Sequence, residues 1–409
     1  MTIQITEIES SKLIPYARNA RTHSDVQISQ ICASIQEFGF TNPVLVDENN
    51  TIIAGHGRVI ASQRMKLEKI PCIYLNNLSE AQKKAYVIAD NQLALNAGWN
   101  EELLSIEVEE LKNLDFNLDL LGFDDPESLI IKDVEGFTDE DEIPESLDEI
   151  KVKQGDLWIL GNHRLFCGDC TSADNITSLF EEQTVDLLLT DPPYGVDYSS
   201  KNTFLNSIDK GNRIQKDIKN DNIEDITQFC TDFLSIIPFS EYNIFYIFFG
   251  GLQLHNLRKS IDDSGLKFSQ YLIWNKNNHV LTRQDYLAKN EFILYGWKNR
   301  HKFYGSKKRT TVIDYDRPLV ADLHPTMKPV GLLETFIEDG SLNNQNVYDP
   351  FLGSGSTLIA CEKHNRKCFG FELEPSYVST IIQRWENFTQ KTAYHSETGK
   401  SFKEICDTK

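Results

Sequence analysis

The sequence predicts an α/β chain in which a small α/β domain is followed by a larger one built on a doubly wound parallel sheet. Three observations predict it. Past residue 150, short apolar runs (DLWILG, HRLFCGD, VDLLLT, NIFYIFFG, KFSQYLIWNK, EFILYGWK, NVYD, KCFGFELE) alternate with helical stretches. Several are apolar almost throughout, as strands covered on both faces must be. The first hundred residues repeat the alternation on a smaller scale. Finally, 409 residues at 40% hydrophobic and 25% charged are too many for one ordinary core and too apolar for a disordered chain.

The chain divides on this reading into 1–100, 101–150 and 151–409. In the first part, VQISQICASIQEFGF puts Ile28, Ile31, Ile35 and Phe38 on one helical face and stops at Gly39. Then come the strand PVLVD, the turn ENNT, the strand TIIAG, the helix RVIASQRMK and the strand IPCIYL. This order, with Gly55-His56-Gly57-Arg58 between strand and helix, resembles the ParB/sulfiredoxin-like family over most of residues 1–95. In that family a Gly- and Arg-containing turn here binds nucleotide phosphates, for which the free N–H groups of a helix N-terminus give the physical reason. Many partition proteins carry Gly-Glu-Arg-Arg at this place. A tight strand-to-helix turn inside a docking module is the alternative.

The net charge of -20 would repel nucleic acid if it were spread evenly. It is not. Residues 1–100 hold 9 Lys+Arg against 9 Asp+Glu, residues 101–150 hold 2 against 19, and residues 151–409 hold 30 against 33, so the local balances are 0, -17 and -3. The acidic stretch starts with a helix, EELLSIEVEELKNL, and continues as DVEGFTDEDEIPESLDE, which reads as a solvated linker because like charges at that density resist burial. The domain boundary is expected near 133–150, and a DNA mimic or regulatory tail is the alternative reading. The longest apolar run, Ile244 to Phe249, is far short of the roughly 20 residues of a membrane span, and the N-terminus has no signal-peptide pattern. Eight scattered cysteines fit a reducing compartment. A cytoplasmic protein away from membranes is expected.

Asp191-Pro192-Pro193-Tyr194 directly follows the apolar strand VDLLLT, at the carboxyl end of a strand where open α/β sheets carry their active groups. The two proline rings fix the turn, so the carboxylate, a carbonyl and an aromatic ring form one array. Such an array suits an exocyclic amine: two oxygens accept its N–H groups and the ring stacks on the base. A second turn, Asp349-Pro350-Phe351-Leu352-Gly353-Ser354-Gly355, lies between the strand NVY and the helix STLIACEKH. Its glycines allow a ligand to approach the backbone. Glu372 ends the next strand, where an acid can accept both ribose hydroxyls. A nucleoside cofactor is implied.

Together with His324-Pro325-Thr326-Met327-Lys328-Pro329, these motifs resemble the amino-methylating, S-adenosyl-L-methionine-dependent DNA methyltransferases. The order, catalytic tetrapeptide before cofactor loop, resembles their permuted β class over residues 153–390. The resemblance implies a Rossmann-like methyltransferase sheet, with target-recognition insertions near 199–225 and 276–323. It implies that Asp191 and the Pro192 carbonyl hold the target amine, Pro193 stiffens the turn, and Tyr194 stacks on the flipped base. Asp349, Phe351, Gly353, Ser354 and Gly355 would line the cofactor, with Glu372 on its ribose. Asp169 and the adjacent Cys170 would meet the adenine, and Thr326 and Lys328 would flank the methionine moiety. It further implies DNA as partner and a homodimer as the common assembly.

Asp before Pro-Pro-Tyr is typical, in the resembling enzymes, of N6-adenine methylation; N4-cytosine methylation is the alternative. A nucleotide-regulated DNA-binding or partition factor with a vestigial methyltransferase domain is the rival from another class. Protein-glutamine methylation resembles the chemistry but uses Asn at the first position. The sequence reveals no restriction partner, so restriction-modification, phage protection and regulation all stay open. Cys167 and Cys170 have metal-like spacing, but no second pair exists, so two small thiols are the expectation and no metal is expected. For DNA contact the candidates are Lys298, Arg300, Lys302, Lys307, Lys308 and Arg309, interleaved with Phe303 and Tyr304. The polar stretch from Ser199 to Asp225 reads as a loop that closes over the substrate.

Overall fold

The computed structural model describes residues 4–19, 21–131, 133–144, 147, 149–193, 225–280, 285–306, 308–316 and 327–407. Tyr194, Lys307, Thr326 and most of the 199–225 loop lie outside them. The chain forms two units, 1–132 and 133–409.

In the first unit, strands β1 (Ile5–Glu9), β2 (Val44–Val46), β3 (Ile52–Ala54) and β4 (Lys69–Tyr74) form a sheet in the order β1-β4-β2-β3. Helices α1 (Asp25–Phe38), α2 (His56–Arg64) and α3 (Glu80–Leu95) accompany it. α1 starts where the Ser24 hydroxyl accepts the Gln27 N–H at 3.1 Å and stops at Gly39, at φ 78°. The core is Ile8, Leu13, Val44, Val46, Ile52, Val59, Ile70 and Cys72. The expected apolar face of α1 is only partly used: Ile28 is buried, whereas Phe38 is 52% exposed and stacks on Phe116 at 6.2 Å. The acidic helix α4 (Glu101–Asn113) is folded into this unit, with Val108 buried and the Ser105 hydroxyl accepting the Ile131 N–H at 2.8 Å.

In the second unit ten strands form one sheet: β5 (Leu157–Leu160), β6 (His163–Cys167), β7 (Val185–Thr190), β8 (Phe239–Phe249), β9 (Lys267–Val280), β10 (Ala288–Trp297), β11 (Val312–Asp314), β12 (Asn346–Asp349), β13 (Lys367–Glu372) and β14 (Tyr394–His395). Their order is β11-β9-β10-β8-β7-β12-β13-β6-β5-β14. The centre, β8-β7-β12-β13-β6, is parallel throughout. Helices α5 (Ala173–Phe180), α6 (Ile226–Ser235) and α7 (Leu254–Asp263) cover one face. The other is covered by α8 (Val330–Gly340), α9 (Ser356–Lys363) and α10 (Pro375–Thr389), with α11 (Phe402–Cys406) beside them. Strand alternation feeds both cores: on β8, Ile244, Tyr246 and Phe248 face one, and Phe245, Ile247 and Phe249 the other.

The solvated linker expected over 133–150 is not what its first half forms. Its backbone is bound to α9 and α10: Val134 N–H donates to the Lys363 carbonyl and Phe137 N–H to that of Phe388, both at 2.8 Å. The carbonyl of Glu140 accepts from Arg384 at 2.6 Å, and the Asp141 carboxylate caps α8 by accepting the Val330 N–H at 3.0 Å. Gly136 lies flat on the Phe388 ring, where a Cβ would come within 2.0 Å of it. Two of the acids meet cations, which offsets part of the repulsion: Glu140 pairs with Lys363, and Asp133 lies 3.1 Å from His364. The second unit therefore begins at Asp133 rather than at 151.

Candidate active site

The chain leaves β7 through α6 to β8 on one side, and leaves β12 through α9 to β13 on the other. The point between β7 and β12 is thus where the strand order reverses, and a crevice opens there at the carboxyl ends of the strands. Asp191-Pro192-Pro193 follows β7 and Asp349-Pro350-Phe351 ends β12, so the two turns are neighbours. A buried hydrogen bond locks them: the Thr190 hydroxyl donates to Asp349 Oδ1 at 2.7 Å.

Asp349 is turned into the protein rather than toward a ligand. It is 4% exposed and also accepts from the Thr357 hydroxyl at 2.6 Å and from Phe351 N–H at 3.0 Å. Burial pushes its carboxyl up to about 6, the nearby Asp191 adding to the effect. Phe351 is also directed inward, against Phe229 and Phe233. The Ser354 carbonyl accepts from Arg384 at 2.9 Å. Of the loop residues expected to line a cofactor, Gly353 leaves open space beside its backbone, whereas Gly355 is packed against Ile381. Gly353, at φ 54°, has nothing near the position of a Cβ, and Gly355, at φ 87°, begins α9, which has no side-chain cap.

Glu372 ends β13 beside this loop. Its two oxygens accept the Gly353 N–H at 2.9 Å and the Glu374 N–H at 2.8 Å. Burial nevertheless pushes its carboxyl up to about 7. At the end of β6, the Gly168 N–H donates to the Glu372 carbonyl at 3.0 Å, which brings exposed Asp169 alongside. Asp169 Oδ1 accepts from Thr171 N–H and hydroxyl at 2.9 and 2.8 Å. Cys167 and Cys170 are buried thiols, and burial holds Cys170 well above the usual thiol value.

Lys328 lies on Asp191. Its ammonium pairs with Asp191 Oδ2 and sits 3.2 Å from Glu291 Oε2, with the Phe248 ring beneath it. Burial alone would lower it; the two carboxylates outweigh that and hold it above the usual lysine value. Glu291, from β10, also pairs with Lys276 of β9. The two lysines together overcome burial and keep Glu291 below the ordinary carboxylate value. Sequence reasoning missed Glu291 and Lys276. The signal available was a charge at one end of the apolar run of each strand, YLIW before Lys276 and FILYGW after Glu291, but only the strand pairing brings them together.

The start of the basic segment, Lys298 and Arg300, is not brought to the crevice. β10 runs antiparallel to β8, so its end at Trp297 meets the start of β8, and Arg300 lies level with Tyr242 at the amino edge of the sheet. Thr190 is level with Ile247, so at 3.3 Å per residue Arg300 lies roughly 15 Å away along the sheet. Arg300 is paired with Glu241 at 2.8 Å and Arg309 with buried Asp339 at 3.0 Å. Lys298 packs on Phe239 and Lys302 on Tyr304, while Lys308 is exposed. Of the six positions expected to contact DNA, Lys298 and Arg300 thus start from the amino edge of the sheet, whereas Lys307 lies outside the described residues. The carboxyl edge instead carries the β9–β10 hairpin, with Tyr286 and Lys289 exposed.

In the first unit, Gly55 (φ 99°) starts α2 immediately after β3. Arg58 folds back over Gly55 and donates to the Asn42 carbonyl, and the His56 ring accepts the Tyr16 N–H at 3.3 Å. A Cβ at Gly57 would press on His23 and Ile31 at 3.1 Å.

A switch-point crevice flanked by an Asp-Pro-Pro turn and a Phe-x-Gly-x-Gly loop is the layout of an amino-methyltransferase. Residues 185–384 match the N6/N4-type family described as DNA methylase, and residues 2–92 match the ParB N-terminal domain. The chain belongs to the DNA amino-methyltransferase family and carries a ParB N-terminal domain ahead of the catalytic one. It is 53% identical over 73 residues (18% of this chain, 84% of the relative) to the ParB-like nuclease domain-containing protein YnaK of Escherichia coli (strain K12). It is 24% identical over 244 residues (53% and 73%) to the type II methyltransferase M.HpaI of Haemophilus parainfluenzae. Among solved structures, the cytosine-N4-specific PvuII DNA methyltransferase is 18% identical, covers 60% of this chain and 91% of its own, and has a TM-score of 0.43. Among the described residues no helix is long and apolar enough to cross a membrane.

Proposed function

We propose that this chain transfers a methyl group from S-adenosyl-L-methionine to N6 of adenine in DNA. The observation that carries the reading is the adjacency of the Asp191-Pro192-Pro193 turn to the Gly-rich loop, locked by the 2.7 Å bond from Thr190 to Asp349. The residues present fit the cofactor. Gly353 leaves room for close approach to the backbone, and Glu372, pushed to about 7 by burial, gains from ribose hydroxyl donors that would stabilise its charge. Asp169 stands where the adenine edge would lie, and Cys170 beneath it is part of the supporting core.

The cofactor supplies a methyl group on a sulfonium, and the chain supplies position and charge. Asp191 and the Pro192 carbonyl accept the N–H groups of the target amine, which returns electron density to a nitrogen conjugated with its ring. Pro193 holds the array rigid, and Tyr194 is read as the stacking ring on motif grounds. Positioning and preorganised electrostatics, rather than a covalent enzyme intermediate, carry the step. The Gly55–Arg58 turn is read as a phosphate-accepting turn of the ParB domain, because α2 has no side-chain N-cap.

The test is transfer of labelled methyl from S-adenosyl-L-methionine to unmethylated genomic DNA, with mass spectrometry of the digested nucleosides. N6-methyladenine is expected; N4-methylcytosine would keep the mechanism and change the base. D191A should abolish transfer and leave cofactor binding within a few-fold, and persistent activity would overturn the catalytic assignment.

A further inference from the structure

Lys328 has two acids within reach. It pairs with Asp191 Oδ2 and lies 3.2 Å from Glu291 Oε2, while Lys276 takes Glu291 Oε1. The cluster is largely shielded from water: Lys276 is 5% and Lys328 8% exposed, and the side chains of Asp191 and Glu291 are each 22% exposed. Its members come from four places in the fold: the turn after β7, strands β9 and β10, and the segment entering α8. Two positive and two negative charges balance.

This arrangement presents a conflict that needs resolving. An Asp191 carboxylate neutralised and crowded by an ammonium on Oδ2 is a weaker acceptor for the N–H groups of the target amine. Separating a shielded ion pair leaves uncompensated charge, which is strongly unfavourable. Glu291 removes that obstacle, because Lys328 keeps a carboxylate partner as it leaves Asp191. Lys276 fixes Glu291 by its other oxygen, so the receiving site is already aligned.

We propose that Glu291, held by Lys276, is a positioning residue that receives Lys328 when the target amine displaces it from Asp191. The proposal rests on the methyltransferase reading above and deepens it, since Glu291 acts through Lys328 rather than by touching base or methyl donor. Before the base arrives, Lys328 offsets the charge of the Asp191 carboxylate; afterwards Glu291 keeps Lys328 away from the amine.

The test compares full-length wild type, E291Q, E291D, K328M and the double variant K328M/E291Q in single-turnover methyl transfer at saturating cofactor and DNA, with D191A alongside. E291Q should slow transfer about tenfold to hundredfold, the range for losing a hydrogen bond to a charged group. Its KM for DNA should stay within about twofold, and E291D should recover part of the rate. With 2-aminopurine placed beside the target adenine, E291Q should lower the fluorescence gain that reports flipping of that adenine. If Glu291 works through Lys328, the double variant is no slower than K328M; independent structural effects would multiply instead. Should E291Q not fold, the charge-neutral E291Q/K276M takes its place with the same expectation. Wild-type rates in E291Q, or multiplied losses in the double variant, overturn the proposal. Activity in D191A would overturn the methyltransferase assignment of Asp191 itself, so the two failures are distinguishable.

Discussion

Replacing Asp349 with Asn should make the catalytic unit more stable at neutral pH. A folded-state rise from 3.8 to about 6, at about 1.4 kcal/mol per pH unit, is a penalty of about 3 kcal/mol on the ionised form. The folded pKa lies above the unfolded one, so the folded chain binds the proton more readily. The penalty is absent below about 3.8, grows as pH rises, and is complete above about 6. In D349N the amide oxygen can keep the donors Thr190 and Phe351 N–H, while the Thr357 hydroxyl must turn to accept. That adjustment costs about 1 kcal/mol, so a net gain of about 2 kcal/mol at pH 8 remains. The assay is urea unfolding from pH 4 to 8 followed by tryptophan fluorescence, which reports this unit because Trp158, Trp274 and Trp385 are buried in it. Subtracting wild type from D349N at each pH removes most of the Glu372 contribution, since the Asp349 charge is only a minor cause of its rise. The difference should swing by about 3 kcal/mol in favour of D349N as pH rises. Parallel curves, or a swing below about 1 kcal/mol, would refute a buried carboxylate resisting ionisation.

The segment from Asp133 to Glu142 yields two more predictions. R384M removes the bonds to the Ser354 and Glu140 carbonyls; it should lower unfolding stability by about 3 kcal/mol and weaken cofactor binding in calorimetry. His364 is raised to about 9 because Asp133 and Glu334 outweigh its burial. The stability it contributes is complete below about 6.5 and is lost as pH rises through 9. Since the Asp133 side chain is 58% exposed, the loss should be about 1–2 kcal/mol, and H364Q should flatten unfolding curves between pH 7 and 10.

Local units are legible in the sequence because their causes are local. The strand-turn-helix units at 185–193 and 346–363 follow from apolar runs, prolines and glycines that need no partner to be read. What depends on strand order is not legible. The segment 298–309 reads as a stretch for DNA contact, and only the antiparallel pairing of β10 with β8 shows that its start, at Lys298 and Arg300, lies at the amino edge of the sheet. Glu291 and Lys276 are unremarkable until β9 and β10 pair and α8 delivers Lys328 between them. Asp349 is predicted to face the ligand, but two threonines, one from each neighbouring segment, turn it inward. The acidic run misleads for a related reason: charge density argues for solvent only if no cations wait on the surface it crosses.

The position of that run also sets where this catalytic domain can be joined to other modules. Asp141 caps the helix that begins two residues after Lys328, and Glu140 shares Arg384 with the Gly-rich loop. A fusion cut at the change in charge pattern, near 151, would discard both supports and leave the Arg384 and Val330 donors buried without acceptors. The natural seam lies upstream of Asp133, and any N-terminal module exchanged there inherits the catalytic domain's own first ten residues as its tether.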